Sequence, residues 1–493
     1  FIHGTEWRSR QHDKLVTETM NPDIVKACPN IQLGGIPGSS SKDHLITLKT
    51  LMKLKEERKE GLILNTFDMK KFFDKESLMD AMYTLNKVAK VDDKSYRLWY
   101  KMNENTRISV NTTAGVSRSE NVTDSLGQGS MGAALVSTLN IGNAVQNIFK
   151  EPSTEIGELK LNSLVFQDDI SKLSNKLKDA REGCKRIDDM LKRKLLSVNY
   201  DKSKYVILGN AKFKRKITKE TSTNPLTMGG EIIERSQKEK YLGDYIHEDG
   251  CEASIAETIK RRTSSLISKC AEIVQIGESS IMAGLGNSTT AFKLYEAIII
   301  PALLHNAESW IGITEANIKE LQNFQNNFIR KVLRLPKSTP KAILEWDTKM
   351  MSMKYRIMKM KLIEMMKIMK KDNESITKQA IEQERKLGIQ GLYHECKVAS
   401  DELEMPDLLE MDLSKKQIKH ACMEKSRSEC KQKMLDGKKS RDRVNDETEE
   451  RSYLEYMTLQ DSRIWMRIRA RSIKGVKINN KGSFKNSLNC EYG

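Results

Sequence analysis

Two spacings of apolar residues divide the first half of the chain into predicted strands and helices. Short apolar runs bounded by polar residues predict strands, because a strand buried on both faces of a sheet is apolar throughout. Longer stretches such as LITLKTLMKLKEERKEG (45–61) repeat apolar positions at helical spacing and predict helices. Strands are expected in LILNTFDM (62–69), LKLNSLVFQDD (159–169), LLSVNYDKSKYVILG (195–209) and KYLGDYI (240–246). The pattern therefore predicts a mixture of strands and helices for this half.

The remaining segments of this half are predicted from the same spacings. ISVNTTAGVSRSENVTDSLGQGS (108–130) has the composition of a hairpin that runs into a glycine-rich loop. Further helices are expected over 12–30, 75–91, 94–106 and 131–149, and a long amphipathic helix is expected to follow LKLNSLVFQDD and to run through about Lys194.

The second half is mostly helical by its pattern. From about residue 252 the apolar spacing is that of helices, and KYRIMKMKLIEMMKIMKK (354–371) predicts an amphipathic helix with a methionine-rich buried face. Charges of both signs mix over 400–452, which indicates exposed helices or a linker. The longest apolar run, AIIIPALL (297–304), is too short to cross a membrane. No membrane partner is expected.

Charge changes the picture more than composition does. The chain of 493 residues is 38% hydrophobic and 31% charged, which suffices for a globular core, and its net charge is +17. Such a surplus indicates a polyanionic partner, and nucleic acid is favoured over acidic lipid. The eight cysteines are scattered without any C-x-x-C pair. This distribution favours reduced thiols in an intracellular compartment over a disulfide framework.

Three aspartates are the candidates for chemistry. Asp168 and Asp169 follow an apolar run directly, and Asp68 follows another. Adjacent carboxylates repel each other, so the pair is either a solvated turn or a site that a cation neutralises. If the two strand ends meet at one edge of a sheet, three carboxylates lie together there. Mg²⁺ prefers such oxygen ligands, completed by substrate phosphates.

The order of the motifs resembles that of the reverse transcriptases of non-LTR (LINE-like) retrotransposons over roughly residues 30–345. One motif matches the first palm motif of that family, an aspartate followed by an aromatic residue and a second aspartate, and FQDD matches its paired aspartates. The others resemble, in order, the family's fingers, glycine–glutamine–glycine, Leu-x-x-Asn-x-x-Lys, primer-grip and thumb segments. The matching segments are QLGGIPGSSSKDHL (32–45), TFDMKKFFD (66–74), SLGQGSMGAALVSTLNI (125–141), FQDD (166–169), LLSVNYDKSK (195–204), KYLGDYI (240–246) and AFKLYEAIIIPALLHNAESW (291–310).

The resemblance implies a role for each site residue. Asp68, Asp168 and Asp169 would be catalytic and would hold two Mg²⁺ ions that act on the primer 3′-hydroxyl and the triphosphate. Lys202 would act as a general acid toward the pyrophosphate, or is a surface lysine. The substrate contacts would be Phe73, which excludes the ribonucleotide 2′-hydroxyl, together with Gln128 and Met69. Partners would be an RNA template, a DNA primer or target, and deoxynucleoside triphosphates.

The chain departs from that family at several positions. Ile36 and Ser39 stand where many relatives carry arginines that grip the triphosphate, and only Lys42 offers a nearby substitute. Gln167 replaces a small residue before the paired aspartates. We also expect a fragment that lacks the endonuclease and the extreme N-terminus. Cys490 is either an ordinary thiol or the start of a truncated zinc-knuckle.

The resemblance implies an α+β fold, the right-hand polymerase fold of fingers, a palm with a small antiparallel sheet and a helical thumb, followed by a basic helical C-terminal region. The expected bounds are 1–60 for partial fingers, 61–250 for the palm with fingers insertions, 251–345 for the thumb and 346–493 for the C-terminal region. The expected location is a cytoplasmic ribonucleoprotein, the nucleus or both. The alternatives are a catalytically inactive remnant that binds nucleic acid and a basic structural protein, and the oligomeric state is left open.

The segment RIWMRIRARSIKGVK (463–477) is the candidate for an additional nucleic-acid contact. It interleaves basic residues with Trp465 and isoleucines. The pattern fits either a helix with one packed apolar face or a surface that binds phosphates and stacks Trp465 on a base.

Overall fold

A computed structural model describes most of the chain. The residues it describes are 7–70, 72–104, 106–109, 111–113, 115–122, 126, 130–282, 289–406, 413–437, 454 and 458–469. The chain divides into two compact units. The first comprises Phe1–Ser254 together with Lys370–His394, and the second comprises Ile255–Met369 together with Glu395–Gly493. Residues 370–394 therefore fall within the predicted C-terminal region but belong to the first unit.

The strands lie in the first unit. The largest sheet has five strands in the order β13-β10-β1-β9-β8, with β1 at its centre. The remaining strands form two-stranded pairs. The strands are β1 (Gly61–Phe67), β2 (Thr106–Ile108), β3 (Asn111–Thr112), β4 (Gly115–Val116), β5 (Glu120–Val122), β6 (Thr154–Ile156), β7 (Leu159–Leu161), β8 (Ser163–Phe166), β9 (Asp169–Ser174), β10 (Lys204–Gly209), β11 (Thr227–Met228), β12 (Glu231–Ile232), β13 (Glu234–Arg235), β14 (Lys238–Tyr241) and β15 (Asp244–His247).

The helices of the first unit cover both faces of this sheet and flank it. They are α1 (Trp7–Ala27), α2 (Ser41–Glu57), α3 (Phe72–Lys75), α4 (Leu78–Thr84), which continues as a π-helical turn at Leu85–Ala89, α5 (Asp93–Asn103), α6 (Met131–Ile148), α7 (Leu177–Arg193) and α8 (Ala211–Thr223). The long helix α9 (Cys251–Met282) begins at the end of this stretch.

The apolar run of β1 is explained by its two buried faces. Ile63 and Phe67 point to one face, where they pack with Ile141 of α6 and Leu191 of α7. The alternate residues Leu62 and Leu64 point to the other face, against α2 and the segment after residue 370. Because neighbouring strand residues point to opposite faces, a central strand with both faces covered has no polar alternation.

The second unit contains only helices among its described elements. Its core includes a stacked pair of rings, Tyr295 and Phe328, whose centroids are 4.3 Å apart. These helices, in chain order with one that belongs to the first unit, are α10 (Thr289–Leu294), followed by a π-helical turn at Tyr295–Ile299, α11 (Ile300–Leu303), a 3-10 turn at Ala307–Ser309, α12 (Glu315–Val332), α13 (Lys341–Thr348), α14 (Met353–Met369), α15 (Ile376–Leu387, first unit), α16 (Leu392–Glu402), α17 (Lys415–Asp436) and α18 (Leu459–Arg469).

Some predicted strands are shorter or divided. LKLNSLVFQDD contains two strands, since β7 pairs with β6 in a hairpin and β8 pairs with β9 in the main sheet. KYLGDYI is a hairpin of β14 and β15, because Leu242 and Gly243 both adopt positive φ and turn the chain. Of LLSVNYDKSKYVILG, only the part from Lys204 is a strand.

Two predictions for helical segments also differ in part from the structure. The helix expected over 12–30 ends at Ala27. Part of the charged stretch 400–452 forms the helix α17, which buries Ile418, Cys422 and Met434. Among the helices described, none is long and apolar enough to span a membrane.

Candidate active site

The register of the sheet brings Asp68 to the paired aspartates. Phe67, the last residue of β1, is paired with Ile170 of the antiparallel strand β9. Asp68 comes directly after Phe67 and Asp169 directly before Ile170, so the two residues leave the ladder at the same edge. Asp169 is also paired with Phe166 across the turn that holds Asp168. All three predicted catalytic aspartates therefore lie at one end of the central strands.

The backbone of Asp68 is hydrogen-bonded to residues of the segment 195–204, which is a separate motif in the sequence. The N–H of Asp68 donates a hydrogen bond to Ser203 Oγ over 3.1 Å, and its carbonyl accepts one from the N–H of Asn199 over 2.8 Å. The residue after it, Met69, forms an antiparallel bridge with Val198. Asn199 and Ser203 thus fix where β1 ends. Their place in the Leu-x-x-Asn-x-x-Lys-Ser pattern was the signal that they matter, but spacing alone does not show what they hold.

The three carboxyl groups share one electrostatic environment. Desolvation raises the pKa of Asp168, and the negative charge of Asp68 raises it further. Asp169 is exposed as a residue, but its carboxyl group is partly desolvated by the protein around it. This desolvation first, and then the charges of Asp168 and Asp68, raise the pKa of Asp169 to about 6. Mutual repulsion of this kind favours either a bound proton or a bound cation.

Lys202 lies beside this edge. Its Nζ atom is 3.9 Å from Asp68 Oδ2, and 69% of its side chain is exposed, against 38% for Asp68. An exposed pair at this distance stabilises the fold little. The ammonium group of Lys202 therefore lies near Asp68, but the ion pair between them contributes little to the stability of the fold.

The donor set suits magnesium only if a substrate completes it. Among the described residues no group of three histidine, cysteine, aspartate or glutamate side chains is arranged to hold a metal ion. Mg²⁺ is usually bound by one or two carboxylates plus water and substrate phosphates, not by a cage made of protein alone. Two raised carboxyl pKa values and a third carboxylate at the same edge are compatible with that mode.

The structure describes the side chains of only some of the predicted substrate-binding residues. Gln128 lies outside the described residues, as does the side chain of Phe73, whose backbone belongs to α3. The neighbouring Phe72 is 4% exposed and packs in the core, as an ordinary core residue does. Met69 is 6% exposed and packs in the same core. Its side chain packs in the core, and its backbone forms the bridge to Val198 just after β1 ends, so the predicted substrate contact of Met69 stays a prediction.

The fingers segment has no arginine at positions 36 and 39. Ile36 packs at the edge of the core between α1 and α6, and its carbonyl accepts a hydrogen bond from the N–H of Ser39 over 3.1 Å. Both residues therefore form a turn that leads into α2, where Lys42 lies in the first helical turn.

Comparisons with solved structures give distant likenesses. Apo telomerase from Candida tropicalis aligns over 84% of this chain and 61% of that chain, with 10% identity and a TM-score of 0.37. Telomerase from Candida albicans, in complex with a fragment of telomeric RNA, aligns over 76% and 56%, with 12% identity and a TM-score of 0.31. The chain spans less than two thirds of either telomerase. No curated protein sequence matches it.

The family comparison is specific to the part of the chain that carries the aspartates. Residues 3–246 match the family model described as reverse transcriptase (RNA-dependent DNA polymerase). That family consists of nucleotidyltransferases. The match includes the central sheet and every motif that positions Asp68, Asp168 and Asp169. Residues 3–246 of this chain therefore form a reverse transcriptase domain.

Proposed function

We propose that this chain is the reverse transcriptase of a non-LTR retrotransposon, and that it copies an RNA template by extending a DNA primer with deoxynucleoside triphosphates. The observation that carries the proposal is the register in which Phe67 pairs with Ile170, since it brings Asp68 to Asp168 and Asp169. The retrotransposon assignment rests on the order of motifs over residues 30–345.

The reaction assigns separate tasks to the residues at this edge. Asp68, Asp168 and Asp169 are the residues that would hold two Mg²⁺ ions, which when bound stabilise the attacking and leaving oxygens of phosphoryl transfer. Lys202, whose ammonium group lies 3.9 Å from Asp68 Oδ2, is the residue that would donate a proton to the pyrophosphate as it departs. Asn199 and Ser203 keep the Asp68 backbone in place.

Substrate selection is assigned to residues around the aspartates. Phe73 excludes the 2′-hydroxyl of ribonucleotides by its bulk, and Gln128 contacts the nucleotide or the template. Support for both comes from their motif positions in residues 66–74 and 125–141.

The partners follow from charge and family. A net charge of +17 suits an RNA template and a DNA primer, because lysines and arginines release counterions from phosphates on binding. We place the protein in a cytoplasmic ribonucleoprotein, the nucleus or both, where such templates and targets occur.

A second candidate function is a polymerase that has lost activity and only binds nucleic acid. Ile36 and Ser39 favour it, because neither can grip a triphosphate as arginine does. The intact aspartates at the sheet edge favour the active enzyme.

Primer extension on an RNA template tests the proposal and separates these candidates. The parent protein should extend a DNA primer with deoxynucleotides, and Asp168→Asn should lower the rate on the order of 100-fold or more. Asp189→Asn, which changes an exposed aspartate of α7, is the matched control and should extend like the parent. A parent that binds RNA in a filter assay but does not extend the primer would support the inactive remnant.

A further inference from the structure

The turn that carries Asp168 has an unfavourable backbone conformation. It joins β8 to β9 through Gln167 and Asp168 alone, because Phe166 is paired with Asp169. Gln167 has φ of +54°, in the left-handed region that glycine adopts readily and other residues avoid. A glutamine at this position keeps that conformation only if its surroundings hold it.

The side-chain amide group of Gln32 holds the backbone of Gln167 in this conformation. Its Oε1 accepts a hydrogen bond from the N–H of Gln167 over 2.9 Å, and its Nε2 donates one to the carbonyl of Gln167 over 3.1 Å. Gln32 is 1% exposed, so neither bond competes with bulk water. The same Oε1 accepts a second hydrogen bond, from the N–H of Gly34 over 3.0 Å, so the amide group makes three in all. Both backbone groups of the strained residue are thus bound by a single buried side chain.

The segment around Gln32 is itself fastened to β8. The N–H of Leu33 donates to the carbonyl of Val165 over 3.1 Å, and the N–H of Val165 donates to the carbonyl of Ile31 over 2.8 Å. Gln32 and Val165 form a parallel bridge through these bonds. The segment therefore extends the edge of the five-stranded sheet beside the turn. Its backbone is fixed by these hydrogen bonds, which keeps the side chain of Gln32 next to Gln167.

Two glycines make room for this arrangement. A Cβ atom on Gly34 would lie 2.2 Å from the backbone nitrogen of Gln167, so any side chain there would push the turn away. A Cβ atom on Gly142 of α6 would lie 2.8 Å from Cβ of Gln32. The turn, the Gln32 segment and α6 are packed against each other at backbone distance.

Only glutamine satisfies both backbone groups from this position. The two bonds need a donor and an acceptor on one planar group at the end of a side chain of this length. Glutamate has no donor, asparagine is shorter by one methylene group, and leucine has neither polar atom.

We infer that Gln32 is a positioning residue for catalysis, because it fixes the backbone of Gln167 and thereby places the carboxylates of Asp168 and Asp169 against Asp68. The inference rests on the proposed function of this site. Gln32, the first residue of the predicted fingers motif, would thus act by holding the turn that carries Asp168.

A double-mutant cycle tests the inference, with Gln32→Leu, Gln167→Gly and the two combined. Glycine adopts positive φ without strain, so a turn with glycine at position 167 depends less on the hold from Gln32. Two readouts are taken for each protein. One is kcat and KM for deoxynucleotides in primer extension, and the other is hydrogen exchange of the peptide spanning residues 163–170.

The chain offers a matched control in Gln383→Leu. Gln383 is also a buried glutamine that binds a hairpin turn, since its Oε1 accepts from the N–H of Glu158 over 3.1 Å between β6 and β7. Its Nε2 donates to the side chain of the same Glu158 over 3.1 Å, so its amide serves that turn and not the aspartates. Its loss removes the same chemistry from another turn, and it should leave kcat within about threefold of the parent.

Gln32→Leu should lower kcat by 10- to 100-fold, on the order expected for a small misplacement of catalytic groups, with KM changed much less. It should also speed exchange in residues 163–170 while the rest of the chain stays protected. Adding Gln167→Gly should restore kcat to within about threefold of Gln167→Gly alone.

Unchanged kcat and exchange in a folded Gln32→Leu protein would overturn the inference, and so would a double variant as slow as Gln32→Leu. If the parent does not extend primers, the proposed function fails on its own, and the exchange readout still decides whether Gln32 holds the turn.

Discussion

Glu76 is a buried carboxyl group near the predicted gate residue. It is 2% exposed and accepts hydrogen bonds from Ser137 Oγ and, over 2.8 Å, from Asn140 Nδ2. Desolvation raises the pKa of Glu76 to about 7, although these two bonds and the charge of Lys194 oppose the shift. An ordinary glutamate in the unfolded chain releases its proton well below that pH. Folding therefore favours the protonated form of Glu76.

The sign of the resulting pH dependence can be stated. Because the folded state holds this proton more tightly, the contribution of Glu76 to stability is present at low pH and is lost as pH rises through about 7. Glu76→Gln keeps a neutral amide and removes the titration. Relative to the parent, the variant should gain about 2–3 kcal/mol in free energy of unfolding between pH 5 and pH 8.

Urea unfolding at several pH values measures this difference. Glu120→Gln, at an exposed glutamate of β5, is the control and should show no comparable trend. A stability difference between parent and Glu76→Gln that is constant over this pH range would show that Glu76 stays ionised in the folded protein.

At the scale of elements, the hairpin of β14 and β15 is attached to α2 by a buried ion pair. Lys49 Nζ lies 2.6 Å from Asp244 Oδ2, and their side chains are 1% and 0% exposed. Desolvating two charges costs several kcal/mol, which their attraction repays only while both are present. Removing one partner leaves an uncompensated charge in the core.

Asp244→Leu should therefore cost about 3–5 kcal/mol of stability and loosen the hairpin, whereas Lys49→Met combined with Asp244→Leu should recover a large part of the loss. Thermal unfolding and hydrogen exchange of residues 238–247 measure both effects. The control is Asp249→Leu, because its ion pair with Lys214 is 61% exposed on the aspartate side and should be worth less than about 1 kcal/mol. Equal losses at residues 244 and 249 would contradict this assignment.

Much of this architecture was predictable from the sequence, and the α+β reverse transcriptase fold is confirmed. Apolar runs that end in aspartate predicted β1 and the strands around Asp168. The burial of Lys49 could not be predicted from the apolar pattern. A lysine in an amphipathic helix is expected to be exposed to solvent, whether or not a carboxylate from elsewhere in the chain pairs with it. Gln32 is similar, since its role depends on a backbone carbonyl far away in sequence. Pairings of this kind are set by tertiary packing and leave no local periodicity.

At the scale of the whole molecule, the basic C-terminal segment is partly a packed helix. In α18, Leu459 and Met466 are buried in the core of the second unit. Arg463 Nε and Arg467 Nη2 each donate to a backbone carbonyl, of Val332 and Arg334, over 3.0 Å. These two arginines thus cap the end of α12, while Trp465 remains 40% exposed. The stretch from residue 470 on lies outside the described residues, and its predicted RNA contact stays a prediction.

A truncation that tests this RNA contact should leave α18 in place. Deleting residues 470–493 removes five basic residues, Arg471, Lys474, Lys477, Lys481 and Lys485. If they bind RNA, affinity should fall and the slope of log K against log salt should flatten by about 0.7 for each RNA phosphate that the protein no longer neutralises. Changing the same five residues to glutamine in the full chain is the matched control for length. An unchanged slope in both proteins would exclude this role for the segment.

The return of residues 370–394 to the first unit has a consequence for synthesis on the ribosome. Ile376, Ala380 and Ile389 complete the core formed by Leu45 and Leu48 on one face of the sheet. When Ser254 has been translated, the three aspartates and all five sheet strands exist, but the core on this face still lacks the residues that α15 and Ile389 supply. At about 5–20 residues per second the missing helix α15 follows on the order of 10 s later. The nascent domain must wait through that interval with part of this apolar face open to chaperones, and a message interrupted before residue 370 yields a sheet whose core on this face is incomplete.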